Sequence, residues 1–117
     1  MNLPFDFIEQ TRQLMGAEAC NELCEALTRE TPVSIRMNND KCPLHPLHAT
    51  PVAWSKGWYL DYRPTFTFDP LFHAGCYYVQ EASSMFVEQA LRQYVHEPVV
   101  MLDLCAAPGG KSTLARS

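Results

Sequence analysis

Apolar positions recur at helical spacing twice near the start of the chain. Phe5, Ile8, Leu14 and Met15 stand among polar neighbours between Pro4 and Gly16, which predicts a helix over 4–15 with a start and a stop signal. Cys20, Leu23, Cys24 and Leu27 repeat the spacing over 17–28, so a second helix pairs with the first as a hairpin through Gly16. The period then falls to two. Val33, Ile35 and Met37 alternate with Ser34, Arg36 and Asn38, which predicts a strand over 32–38 with Arg36 facing away from the core. Residues 39–51, with Pro43, Pro46 and Pro51, read as a loop. Residues 52–54 and 58–62 read as a hairpin through Ser55, Lys56 and Gly57, with Trp58, Leu60 and Tyr62 on one side. Phe66 and Phe68 extend the alternation over 65–68. A turn or short helix follows over 69–75, a short β segment over 77–80, and a helix over 82–95. Met85, Phe86, Gln89 and Ala90 lie near one stripe of that helix, and Glu81, Ser83 and Ser84 suit its first turn.

The last stretch organises the rest. Residues 99–104 read VVMLDL, a short apolar run of the kind that forms a strand buried on both faces of a parallel sheet. Residues 105–111 read CAAPGGK, and Ser112, Thr113, Leu114 and Ala115 continue as the opening of a helix. Strand, glycine turn and helix start make the first half of a βαβ unit. Backbone N–H groups at such a turn lack internal partners, and the helix dipole adds partial positive charge, so an anionic group can sit there. Two familiar anion loops fail. The phosphate-binding G-x-x-x-x-G-K-[ST] loop would need glycine where Cys105 stands, leaving Gly110, Lys111 and Ser112 as a degenerate NTPase reading at most. The dinucleotide fingerprint needs three spaced glycines, and only Gly109 and Gly110 occur, side by side.

DLCAAPGGKST resembles motif I of the Sun-type (nucleolar antigen) family of RNA cytosine-5 methyltransferases. GCYYVQEASSMF, residues 75–86, resembles the segment that precedes motif I in that family. The resemblance implies an S-adenosylmethionine turn built from Cys105, Ala106, Ala107, Pro108, Gly109, Gly110 and Lys111, with the donor's carboxylate as the anion. It implies an α+β chain: a small N-terminal helix and sheet domain over 1–75, followed over 76–117 by the truncated start of a Rossmann-like class I methyltransferase domain. It implies an N-terminal piece of a longer enzyme, itself inactive. In that family a cysteine thiolate adds to carbon 6 of cytosine so that carbon 5 can attack the methyl group, and the cysteines stand in later motifs that 1–117 does not contain. No catalytic residue is therefore assigned. Cys105 is read as a small packing residue and Asp103 as an orienter of the loop.

Composition adjusts this picture in a few places. A net charge of −4 weighs mildly against a wholly nucleic-acid-coating protein, though one face can still be basic. No apolar run is long enough for a membrane span, and the start of the chain lacks the basic and apolar regions of a signal peptide. Five cysteines, an odd count without a tight framework, point to a reducing cytoplasm. Cys20 and Cys24 have no partner pair at zinc spacing and read as core. Cys42, His45 and His48 lack an evident fourth ligand, so no metal is expected. His73 has no nucleophile motif around it. The partner implied by the resemblance is ribosomal RNA, with transfer RNA as the alternative. Arg36 is either a solvated strand residue or a phosphate contact, the latter supported by resemblance to an Arg-x-Asn motif of the family. Arg63, with Lys56 and the interleaved aromatics, either joins an RNA stacking surface or flanks a buried aromatic core. A non-catalytic RNA-binding module is the alternative function.

Overall fold

A computed structural model describes residues 3–43 and 45–117. Met1 and Asn2, at the start read above for a signal peptide, and Leu44, in the loop read over 39–51, lie outside the described residues. The chain divides into two compact units, 1–31 and 32–117. The first is the expected helical hairpin. Helix α1 spans Phe5–Met15 and α2 spans Ala17–Thr28. Gly16, at φ +85°, makes the corner in a conformation that favours glycine, and its N–H closes α1 on the Arg12 carbonyl at 3.0 Å. Cys20 is fully buried and its thiol reaches the Ile8 carbonyl, as a core cysteine does.

The second unit is built on a four-stranded antiparallel sheet in the order β2-β3-β1-β4. Strand β1 spans Val33–Met37, β2 Ala49–Pro51, β3 Gly57–Leu60 and β4 Tyr77–Val79. The hairpin arm expected over 52–54 lies earlier: Ala49–Pro51 pairs with β3, and Val52 closes the turn onto the Gly57 carbonyl. A proline suits this edge position, where no ladder donor is needed. Residues 66–68 form a 3-10 turn rather than a strand. Pro64 precedes them, and Asp69 follows as the N-cap of α3, Pro70–His73, accepting the Leu71 N–H at 2.9 Å. The boundary expected after residue 75 falls inside this unit, because β4 is hydrogen-bonded to β1.

Alternation along β1 sends side chains to two faces, and both are covered. Ile35 sits opposite Trp58 and Val79. Its face is buried with Cys76 and Tyr77 under Phe66 and Phe72, whose rings meet Tyr77 at centroid distances of 6.1 and 5.9 Å. The Tyr77 hydroxyl donates to Asp69 at 2.6 Å. Most of the aromatic alternation is therefore core. On the other face Val52, Ala82 and Met85 pack with Trp54 and Tyr59. Gly57 makes this possible: a Cβ there would overlap the Met85 side chain.

The helix expected over 82–95 is a 3-10 turn over Ser84–Phe86 followed by α4, Val87–Tyr94. Its inward stripe is Ala82, Met85 and Glu88, whereas Phe86, Gln89 and Ala90 are exposed. The expectation misplaced the stripe because it gave Glu88 no buried role. Glu88 is buried as an ionised acceptor, taking hydrogen bonds from Ser55 Oγ at 2.5 Å, the Lys56 N–H at 3.3 Å and Arg92 at 2.6 Å. Burial alone would raise its pKa; the donors of Ser55, Arg92 and Lys56 outweigh that and hold it below its ordinary value.

The strand expected over 99–104 does not form. The run carries no ladder hydrogen bonds, and Val99, Val100, Leu102 and Leu104 are exposed. A parallel strand is held only by neighbours contributed from elsewhere in a sheet, and among the described residues none lies beside this one. Helix α5, Gly110–Arg116, follows the turn as expected and buries Leu114. No helix of the described residues is long and apolar enough to cross a membrane.

Candidate functional site

The glycine turn is held from within and from beneath. Asp103 accepts the Cys105 N–H at 3.0 Å on one oxygen and the Ser112 hydroxyl at 2.5 Å on the other. These bonds, Ser112 foremost, keep its carboxyl below the ordinary range. One carboxylate thus ties the entry of the turn to the first turn of α5, the loop-orienting role expected of it. The Ala107–Pro108 peptide is cis. Gly109 has φ +105°, a left-handed conformation that costs any residue with a Cβ. Among the described residues nothing lies within 4 Å of where that Cβ would stand, so the outer side of the turn is open. Among the described residues, the N–H groups of Ala106, Ala107 and Gly109 have no protein acceptor, and no side chain caps α5. Free donors beside a helix start are what an anionic group requires, so the residues present fit the carboxylate of an amino-acid tail.

Beneath the turn lies the helix-covered face of the sheet. Gly110 is seated directly on it: a Cβ there would meet Gln80 Nε2 at 3.1 Å and Tyr78 Cε1 at 3.3 Å. The Tyr78 hydroxyl donates to the Pro108 carbonyl at 3.3 Å. Arg36, 5 % exposed, donates to Gln80 Oε1 at 3.2 Å, the Gly110 carbonyl at 3.3 Å, Thr113 Oγ1 at 2.5 Å and Ser117 Oγ at 3.3 Å. Burial pushes its guanidinium below the ordinary value, opposed by the charge of Glu88. Arg36 does face away from Ile35, as its place in the alternation requires. Of the two readings open for it, the solvated strand residue is corrected, because α5 and Gln80 cover the second face of the sheet.

Arg63 is exposed and lies 5.8 Å from the centroid of Phe66, whose ring covers the Ile35 face. The two arginines singled out from the sequence therefore sit on opposite faces and form no common patch. His73 is bonded through Nε2 to the Thr67 carbonyl at 2.8 Å. His45 packs on Trp58 at 5.1 Å. Among the described residues no group of histidine, cysteine and carboxylate side chains could hold a metal. Cys105 is exposed at the turn. A groove of about 630 Å³ runs between α4 and α5 and is floored by Val99, Met101 and Asp103, with Glu88, Arg92 and Leu114 in its walls.

Sequence reasoning placed the turn and its orienting aspartate. It missed Thr113 and Tyr78 as supports. The signal for Tyr78 was present: if β1 and β4 pair, alternation puts it on the Arg36 face, and it sits opposite Arg36 in the register.

A small antiparallel sheet that leads through a helix into a glycine turn with free N–H groups defines the class: an α+β unit. The family model for the N-terminal domain of 16S rRNA methyltransferase RsmF matches residues 3–82, and the chain belongs to that family. Relatives extend the match into the turn. The chain is 30% identical over 127 residues to ribosomal RNA small subunit methyltransferase F of Pectobacterium atrosepticum, covering 96% of this chain and 26% of that protein. It is 31% identical over 126 residues to the protein of the same name from Enterobacter sp., covering 94% and 26%. The chain thus spans about a quarter of the length of the curated relatives it matches.

Proposed function

We propose that this chain is the N-terminal part of an S-adenosylmethionine-dependent cytosine-5 methyltransferase of ribosomal RNA acting in the cytoplasm. In this proposal residues 105–111 take the amino-acid tail of the donor, and the chain leads into a Rossmann-like domain. The names of its relatives support the ribosomal RNA substrate. The single observation that carries the donor assignment is the turn: free N–H groups, an open outer side at Gly109, and Asp103 clamping both ends. The donor supplies a methyl group activated on a sulfonium centre. The turn's N–H groups bind the carboxylate end, Asp103 keeps them convergent, and Gly110 keeps the loop seated on the sheet. The five cysteines are packing or surface residues in this account, so the chain alone is expected to show no methyl transfer.

Calorimetric titration with S-adenosylmethionine tests the assignment. Gly109→Val introduces a β-branched residue at φ +105° where there is space but no conformational allowance. Strain of about 1–3 kcal/mol predicts affinity lower by roughly tenfold or more. Equal affinity in the variant would remove the turn from the donor site.

A further inference from the structure

A buried guanidinium is costly unless its donors are matched. Arg36 is buried on the central strand, and its recorded partners are neutral: an amide oxygen, a carbonyl and two hydroxyls. Among the described residues no carboxylate lies within ion-pair distance of it. A purely structural position there would be filled at lower cost by an apolar or hydroxyl side chain. What the arginine adds is reach. Two of its partners, residues 110 and 113, fall on one stripe of α5 and a third, Ser117, continues that stripe at its C-cap, while the fourth, Gln80, holds the sheet side. Beneath it Tyr78 lies 5.9 Å away by its ring centroid and reaches Pro108. Strand β1, one of the two strands paired on both sides, is a firm place from which to hold a loop.

We infer that Arg36 is a positioning residue for the donor turn, fixing α5 and the glycine loop at a set height above the sheet so that the N–H groups converge. The donor role of the turn is the proposal made above; the brace itself is independent of it. A phosphate contact by Arg36 is the competing role, and it requires the four bonds to open.

The test uses amide hydrogen exchange of the chain followed by NMR, with donor binding alongside. In Arg36→Gln, exchange at Thr113 and Leu114 should quicken by about tenfold or more, while Ile35, Trp58 and Val79 keep their protection. Arg36→Lys keeps the charge but has one nitrogen, so it should recover little. Gln80→Met removes an acceptor of Arg36 and none of the turn's own bonds, whereas the Thr113 hydroxyl also donates to the Gly109 and Gly110 carbonyls; Gln80→Met should reproduce the loosening, and it decides the matter if Arg36→Gln unfolds. In the full-length protein S-adenosylmethionine should bind each variant several-fold more weakly, whereas methylthioadenosine, which lacks the amino-acid tail, should be unaffected. Unchanged exchange at α5, full recovery by lysine, or equal weakening of both ligands would overturn the inference. So would ribosomal RNA retention that falls in Arg36→Gln while α5 exchange stays fixed. Failure of the unaltered full-length protein to bind S-adenosylmethionine would sink the donor assignment, and the exchange comparison would still decide the brace.

Discussion

The sheet of residues 33–79 and the run of residues 99–104 carry comparably clear patterns, yet only the sheet forms its strands. The strands expected around Ile35 and Trp58 form as β1 and β3, though β3 ends at Leu60 and leaves Tyr62 exposed, because each strand finds its antiparallel partner a few tens of residues away. The run over 99–104 has the stronger apolar signal and makes no ladder bond. Hydrophobic pattern thus specifies which face will be buried; it does not supply the neighbour that buries it. The turn that follows is ordered all the same, because polar side chains rather than burial hold it: Asp103 from within, and Arg36 and Tyr78 from the sheet.

The contrast can be broken or sharpened by substitution. The largest effect belongs to the sheet. Met85→Ala empties a fully buried site against Gly57 and should cost about 2–5 kcal/mol in denaturant unfolding; a loss under about 1 kcal/mol would mean that this face is loosely packed. A middle-sized effect belongs to Glu88. Its pKa is lowered on folding, so its contribution is present above the ordinary glutamate value of 4.5 and is lost as pH falls through the lower, folded value. Stability of the chain should therefore decline on acidification below about pH 4.5, and Glu88→Gln should flatten that part of the profile. A profile of unchanged slope would place the acid sensitivity elsewhere. The smallest effect belongs to the tail. Leu102 is 82 % exposed, so Leu102→Lys should shift unfolding by no more than about 0.5 kcal/mol. A loss of 2 kcal/mol or so would show that the run is buried in solution.

Much of the fold was legible because its signals are local. Pro4, Gly16 and the period of the first two helices marked the hairpin, and Asp69–Pro70 marked a turn or short helix, which forms as α3. Three features were hidden for definite reasons. Residues 66–68 alternate like a strand but are pinned between Pro64 and the Asp69 cap. Glu88 is polar yet inward, because Ser55 and Lys56 meet it from a loop 32 or 33 residues earlier. Arg36 looked solvated, since nothing in its own strand reveals that a helix some 75 residues later will cover the second face. At the turn, the break after residue 104 and the helix start after it were readable from CAAPGGKST. The supports beneath it were not, because they depend on strand pairing.

The bare run of residues 99–104 has a colloidal consequence. Six residues with one charge, Asp103, and no proline have the composition of a segment prone to intermolecular strand addition, whereas the β2 edge is short and blunted by Pro51. At high concentration the chain should scatter light and clump through this segment first, and a lysine within it would act as a gatekeeper that keeps solutions clear.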